Sequence, residues 1–159
     1  MTTESEFCTV IVNSLNVMGI GYKIPDPTSS FNKAILRPFD IIGVLNYNGE
    51  NLPCYIEAKF SKKIEAFNFK KVQPHQSSYL NAFSEADNSL AWVILGMRMG
   101  RGKYYAYIFD WKSVGYLYPE FSIHANKLEL LPFNVISKDI LSFDNIITLD
   151  TLRNIGLTV

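Results

Sequence analysis

Asp40 and the run Glu57-Ala58-Lys59 flank an Asn48-Gly49 dipeptide, and these few residues have the types and spacing to do chemistry. Asn-Gly between two apolar runs signals a two-residue hairpin turn, because both turn positions must accept positive φ. In such a hairpin Tyr47 faces Glu50, and counting back along both strands sets Asp40 directly opposite Glu57. Side chains alternate along a strand, so Lys59 shares the face of Glu57. Directly opposed residues hold their Cβ atoms about 5 Å apart. Carboxylates that close repel each other unless a divalent cation lies between them. A neighbouring lysine can hold a water or a developing phosphate charge. The set suits metal-dependent hydrolysis of a phosphodiester. A solvated sheet face with a Glu57–Lys59 ion pair would use the same residue types, so the elements around the set must decide.

Those elements can be read from periodicity. Residues from about Thr3 to Met18 predict a helix: Thr3 or Ser5 can cap it, and Phe7, Val10, Ile11, Leu15 and Met18 keep helical spacing. Gly19 and Gly21 are expected to end it, before a short strand at Tyr22-Lys23-Ile24. Pro38 to Tyr47 and Leu52 to Phe60 are the hairpin strands. On the first, Phe39, Ile41, Gly43 and Leu45 alternate against Asp40, Ile42, Val44 and Asn46; on the second, Cys54, Ile56, Ala58 and Phe60 oppose Tyr55, Glu57 and Lys59. Pro53 cannot donate to a ladder, and a bulge there would spoil the Asp40–Glu57 opposition. Ser61 to Val72 reads as a basic loop with a short irregular element. Pro74 to Ala86 predicts a second helix, with Gln76, Tyr79, Leu80 and Phe83 on one face, so Gln76 points inward. Leu90 to Met97 is apolar enough to be buried on both faces. A second strand, Lys103 to Trp111, follows a Gly100-Arg101-Gly102 turn. A short segment at Val114 to Tyr118 and helices near Ser137 to Phe143 and Thr148 to Ile155 complete the chain. The order predicts an α/β fold with a mixed central sheet and the hairpin near its middle.

At 159 residues the chain is expected to be one domain, with a core over about residues 4–111 and an extension over 112–159. It has no long apolar run of the roughly 20 residues a membrane helix needs, and the polar start, Met1 to Phe7, is unlike a signal peptide. Cys8 and Cys54 lack metal-ligand spacing and are expected to be free buried thiols. A soluble, cytoplasmic protein is the expectation. Fifteen basic residues balance fifteen acidic ones, which counts against a simple nucleic-acid coat protein but not against a nuclease. Lys59, Lys62, Lys63, Lys70 and Lys71 form one basic group, and Arg98, Arg101 and Lys103 a weaker second. The strand aromatics Tyr104, Tyr105, Tyr107, Phe109 and Trp111 suit core and dimer surface better than a base-stacking platform.

Asp40 followed by Glu57-Ala58-Lys59, in this order of elements, resembles the PD-(D/E)XK nuclease superfamily. More narrowly, Tyr22-Lys23-Ile24-Pro25, Pro38-Phe39-Asp40, Ile56-Glu57-Ala58-Lys59, Phe67-Asn68-Phe69 and His75-Gln76 resemble the RecU-type Holliday-junction resolvases and their phage relatives. The resemblance spans about Glu4 to Asp110. It implies a restriction-endonuclease-like fold and a metal-dependent endodeoxyribonuclease of DNA recombination and repair, bacterial or phage in origin. It also implies a homodimer acting on branched or duplex DNA. Asp40, Glu57 and the Ala58 carbonyl would ligate Mg²⁺, with Mn²⁺ as a substitute, and Lys59 would position the attacking water or steady the transition state. Glu6 would be an outer or second-metal ligand, with Glu4 competing for that place, and Gln76 would orient Lys59 or water. Lys62, Lys63, Lys70, Lys71, His75 and Arg101 are the expected DNA contacts. Asp26 to Pro38 leaves little room for the family's stalk-like insertion, which bears on junction specificity. A nicking or repair nuclease, or an inactive binding module on the same fold, remain the alternatives.

Overall fold

The computed structural model describes residues 3–26, 36–123 and 146–154. Helix α1, Glu4–Met18, opens on a capping box: the Glu6 amide donates to Thr3 Oγ1 at 3.2 Å, and the Thr3 amide to Glu6 Oε2 at 3.1 Å. Its apolar stripe, Phe7, Val10, Ile11 and Leu15, is buried. Strand β1, Gly19–Lys23, begins directly where α1 stops. The two glycines therefore do more than end a helix. A Cβ on Gly19 would lie 1.9 Å from the Val44 carbonyl oxygen, and one on Gly21 would meet Leu15 at 2.9 Å. They let β1 run tight against its neighbours.

Strands β2, Ile41–Tyr47, and β3, Glu50–Ser61, form the expected hairpin, with Tyr47 opposite Glu50 and Ile41 opposite Ile56. Asn48 and Gly49 sit at φ of 50° and 81°, as a primed turn demands. No bulge forms at Pro53, which pairs with Val44 in unbroken register. On its other side β3 acquires a partner only from Cys54 onward, so the missing amide of Pro53 falls where that edge is still open.

Beyond the hairpin come the two-residue strand β4, Phe67–Asn68, a 3-10 turn at Phe69–Lys71 and helix α2, Pro74–Ser84. Strand β5, Leu90–Gly100, then pairs parallel with β3, and β6, Lys103–Asp110, antiparallel with β5. The sheet order is β1-β2-β3-β5-β6, which puts β3 at its centre. This is the expected mixed α/β sheet flanked by helices. Among the described residues no helix is long and apolar enough to cross a membrane.

Two apolar layers hold the sheet. On one face Phe7, Ile11 and Leu15 of α1 pack with Ile41, Ile56, Ala58, Trp92 and Ile94. On the other, Leu80 of α2 joins Val93, Leu95, Tyr107, Phe109 and Trp111. Phe39 was expected beside Ile41 but lies in the second layer, its ring 5.1 Å from Phe83 and 5.2 Å from Tyr55. Strand geometry starts only at Ile41, so the alternation does not extend back to Phe39. The strand aromatics are core: Tyr104, Tyr107, Phe109 and Trp111 are buried and Tyr105 is partly so. Cys8 and Cys54 are free and buried, and burial drives both thiols up to about 12, so they are inert at neutral pH.

The chain after Trp111 fastens to both layers. Helix α3, Trp111–Val114, and a 3-10 turn at Gly115–Leu117 lead to β7, Ser122–Ile123, which pairs with β4. Short helix α4, Leu149–Asn154, follows Ile147, whose amide donates to Ser14 Oγ of α1 at 2.7 Å. The helix expected near Ser137 to Phe143 lies outside the described residues.

Gly96 seats α1 on the sheet, because a Cβ there would reach the Phe7 ring at 2.8 Å and the Phe60 ring at 3.0 Å. Gly96→Val is expected to cost about 2 kcal/mol through overpacking, read as a fall in thermal midpoint. An unchanged midpoint would mean that the helix rides more loosely on the sheet than these contacts imply.

Candidate active site

Backbone bonds fix the place of each acidic group. The Asp40 amide donates to the Ile56 carbonyl at 3.2 Å, and the Asp40 carbonyl accepts from the Ile24 amide at 2.8 Å. Asp40 thus stitches the end of β1 to β3 just ahead of β2. Its Oδ2 accepts from the Ala58 amide at 2.8 Å. The carboxylate is thereby aimed at β3 as the hairpin count anticipates, and it lies against the side chain of Glu57. Both acids are 1% exposed.

Glu57 Oε1 is well served. Lys59 Nζ donates to it at 2.6 Å and Gln76 Nε2 at 2.5 Å. Gln76 Oε1 in turn accepts from the Gln73 amide at 2.8 Å and faces Lys59 Nζ at 3.5 Å. The inward-facing glutamine of α2 therefore ties the lysine and the glutamate together, and Pro74 at the helix start holds that turn in place. Glu57 Oε2 is different: it is buried and, among the described residues, has no hydrogen-bond partner. A buried carboxylate oxygen without a donor is costly unless a cation or a proton satisfies it. Burial chiefly, helped by the nearby Asp40 and opposed by Lys59, pushes the Glu57 carboxyl up to about 8.

These features fit a divalent cation. An oxygen-ligand ion would satisfy Glu57 Oε2 and relieve the contact between two acids. Among the described residues no third His, Cys, Asp or Glu converges with them, so the protein offers only a partial shell and the remaining ligands would be water or backbone oxygen. That is how Mg²⁺ is commonly held.

The two acidic candidates of α1 are both exposed but have different neighbours. Glu6 is used by the capping box and is exposed. Glu4 lines a cleft of about 350 Å³ with Lys59, Phe60, Ser61, Lys71 and Gln73. Its carboxyl is raised by partial burial, against the pull of Lys59 and with a push from Asp40. The helical spacing could not choose, because the capping role of Glu6 depends on which residue is the cap.

The basic residues divide into two groups. Lys62 and Lys63 meet Arg98 and Arg101 around an open cavity of about 370 Å³, so the loop after β3 and the β5–β6 turn converge. Parallel pairing explains this, since Ser61 lies beside Met97 at the same end of the sheet. Arg98 gains weight from that meeting. Lys71 is instead bound to Glu65 Oε1 at 2.6 Å, an oxygen that also accepts from Ser61. Lys70 is exposed, and His75 is half-buried at the start of α2. Sequence reasoning missed Arg37, which contacts Asp40 Oδ1 and is only 20% exposed at its side chain. Its spacing of three residues before Asp40 was the available signal.

No family model matches the chain, and no curated protein matches it by sequence. Among solved structures it is similar to Archaeoglobus fulgidus Hjc, a Holliday junction resolvase from an archaeal hyperthermophile. The TM-score is 0.48 and the identity 14%, over 84% of this chain and 92% of that one. A roomier, mostly apolar cavity of about 590 Å³ lies between the end of α1 and Ile147, and among the described residues it has no ionisable lining group.

Proposed function

We propose that the protein is a Mg²⁺-dependent DNA endonuclease whose centre is Asp40, Glu57 and Lys59. The observation that carries this reading is the buried Asp40–Glu57 contact, with one Glu57 oxygen lacking a donor among the described residues and a lysine ammonium 2.6 Å from the other. Such a pair has a poor structural rationale, since two carboxylates buried together destabilise the fold. Metal chemistry gives it one.

When bound, the metal would make its water more acidic and offset charge on the phosphorane oxygens. Asp40 and Glu57 would hold it, with the Ala58 carbonyl as a third oxygen. Lys59 would place its ammonium beside the attacking water or the developing phosphate charge, where a compact point charge suffices. Gln76 would keep that ammonium in line by holding both it and Glu57. Glu4, across the cleft from Lys59, would be the outer ligand. Lys62, Lys63, Arg98 and Arg101 would grip backbone phosphates, which fixes register without reading sequence. Lys70, Lys71 and His75 would border that track.

The finer reading is a resolvase of four-way junctions, acting as a dimer in the cytoplasm of a bacterium or a phage-infected host. Symmetric cuts need two sites. Ile20 and Tyr22 of β1 pair with Val44 and Ile42 of β2 and are 68%, 59%, 38% and 38% exposed respectively. A second copy could cover them.

Cleavage of labelled four-way junction, flap, nicked and linear duplex with Mg²⁺ tests the proposal. Paired symmetric nicks on the junction are expected, together with no cutting by Asp40→Asn at near-wild-type affinity. Equal cutting of linear duplex would remove junction specificity and leave a nicking or repair nuclease. Binding of every substrate with no cutting would mean an inactive module.

A further inference from the structure

Among the described residues the Arg37 guanidinium has three acceptors. Nη1 donates to the Ile24 carbonyl at 3.0 Å and pairs with Asp26 Oδ1 at 2.7 Å, while Nη2 contacts Asp40 Oδ1. Asp40 Oδ2 is already taken by the Ala58 amide. Both Asp40 oxygens therefore have donors, whereas Glu57 keeps one empty. The paired acids are flanked by two fixed cations, Lys59 on the Glu57 side and Arg37 on the Asp40 side.

Arginine is an unusual choice at that place if Asp40 is a metal ligand. A guanidinium cannot give up its proton in a protein, so its charge stays next to any ion that Asp40 would bind. Two cations on one carboxylate repel strongly in a buried site. Lys59 does not conflict in this way, because it uses the Glu57 oxygen opposite the empty one.

We infer that Arg37 is a counter-cation of the metal-free site, which an incoming divalent ion displaces from Asp40 Oδ1. Asp26 and the Ile24 carbonyl give the displaced guanidinium somewhere to stay, so it moves aside without entering solvent unpaired. Asp26 is 77% exposed at its side chain, which makes this resting place wetter than the site itself. The consequence is a threshold: Arg37 steadies the acids when metal is scarce and weakens metal binding by competing for the same oxygen. This inference rests on the nuclease reading of Asp40 and Glu57.

Mn²⁺ titration by calorimetry, without DNA, tests it in wild type, Arg37→Gln and Asp40→Asn. Arg37→Gln is expected to bind Mn²⁺ about tenfold more tightly than wild type, and to gain more in thermal midpoint when Mn²⁺ is added. Equal or weaker Mn²⁺ binding in Arg37→Gln, with wild-type binding intact and lost in Asp40→Asn, overturns the inference and leaves the metal site standing. Failure of wild type to bind Mn²⁺ overturns both. Should Arg37→Gln not fold, the wild-type Arg37 Nε–Hε resonance serves instead: it is expected to shift on Mg²⁺ addition, and an unmoved resonance at saturation overturns the inference.

Discussion

Glu57→Gln is expected to lower metal-dependent cleavage by about a thousandfold or more while making the metal-free protein more stable. Both effects come from one oxygen. Glutamine keeps the shape and leaves an acceptor for Lys59 Nζ and Gln76 Nε2, which donate to Glu57 Oε1 at 2.6 and 2.5 Å. Its amide nitrogen replaces the partnerless Oε2 and can donate to Asp40, so an uncompensated charge becomes a hydrogen bond. A gain of about 1–3 kcal/mol is expected above pH 8, where wild-type Glu57 is ionised. Opposite signs for activity and stability mark a residue kept for function. Full cleavage activity in the variant, or a loss of stability with no gain at any pH, would sink the assignment of Glu57.

Stability of the metal-free protein is expected to fall as pH rises from about 4.5 to about 8. The sign follows from the proton balance. Folded Glu57 protonates near 8, against an ordinary value of 4.5, so between these limits the folded chain holds a proton that the unfolded chain has lost. The contribution is complete below 4.5, shrinks across the window and is spent above 8, a loss on the order of 5 kcal/mol. Metal binding runs the other way. An ionised Glu57 is needed, so affinity should rise through the same window with release of one proton, and added Mg²⁺ should flatten the profile. Thermal midpoints in EDTA and in Mg²⁺ over pH 5 to about 9, for wild type and Glu57→Gln, separate this group from all others. A wild-type deficit relative to Glu57→Gln that does not widen with pH would show that Glu57 titrates normally.

The hairpin and the site were legible because one turn fixed the register. Asn48-Gly49 set the strand count, and the same count put Asp40 against Glu57 and Lys59 on its face. Gln76 was legible from helical spacing. The capping role of Glu6 was not, since it depends on whether Thr3 or Ser5 is the cap. Phe39 failed for a similar reason: alternation holds only where the strand is regular, and that begins at Ile41. Arg37 was legible only in part: its place three residues before Asp40 was a signal, but its contacts with Ile24 and Asp26 arise only in the folded chain. The meeting of Lys62 and Lys63 with Arg98 and Arg101 depends on the parallel β3–β5 pairing, whose register no local motif encodes.

The small β4–β7 ladder has a consequence for how such a chain can vary. Phe67 opposite Ile123, and the Phe69 amide bonded to the Phe121 carbonyl at 3.1 Å, make the stretch between β3 and α2 lean on residues some fifty places downstream. Changes around 117–123 would therefore reshape the ground under Lys70 and Lys71 while leaving Asp40 and Glu57 alone. Lineages could reshape that surface by altering this later ladder, without touching the paired acids.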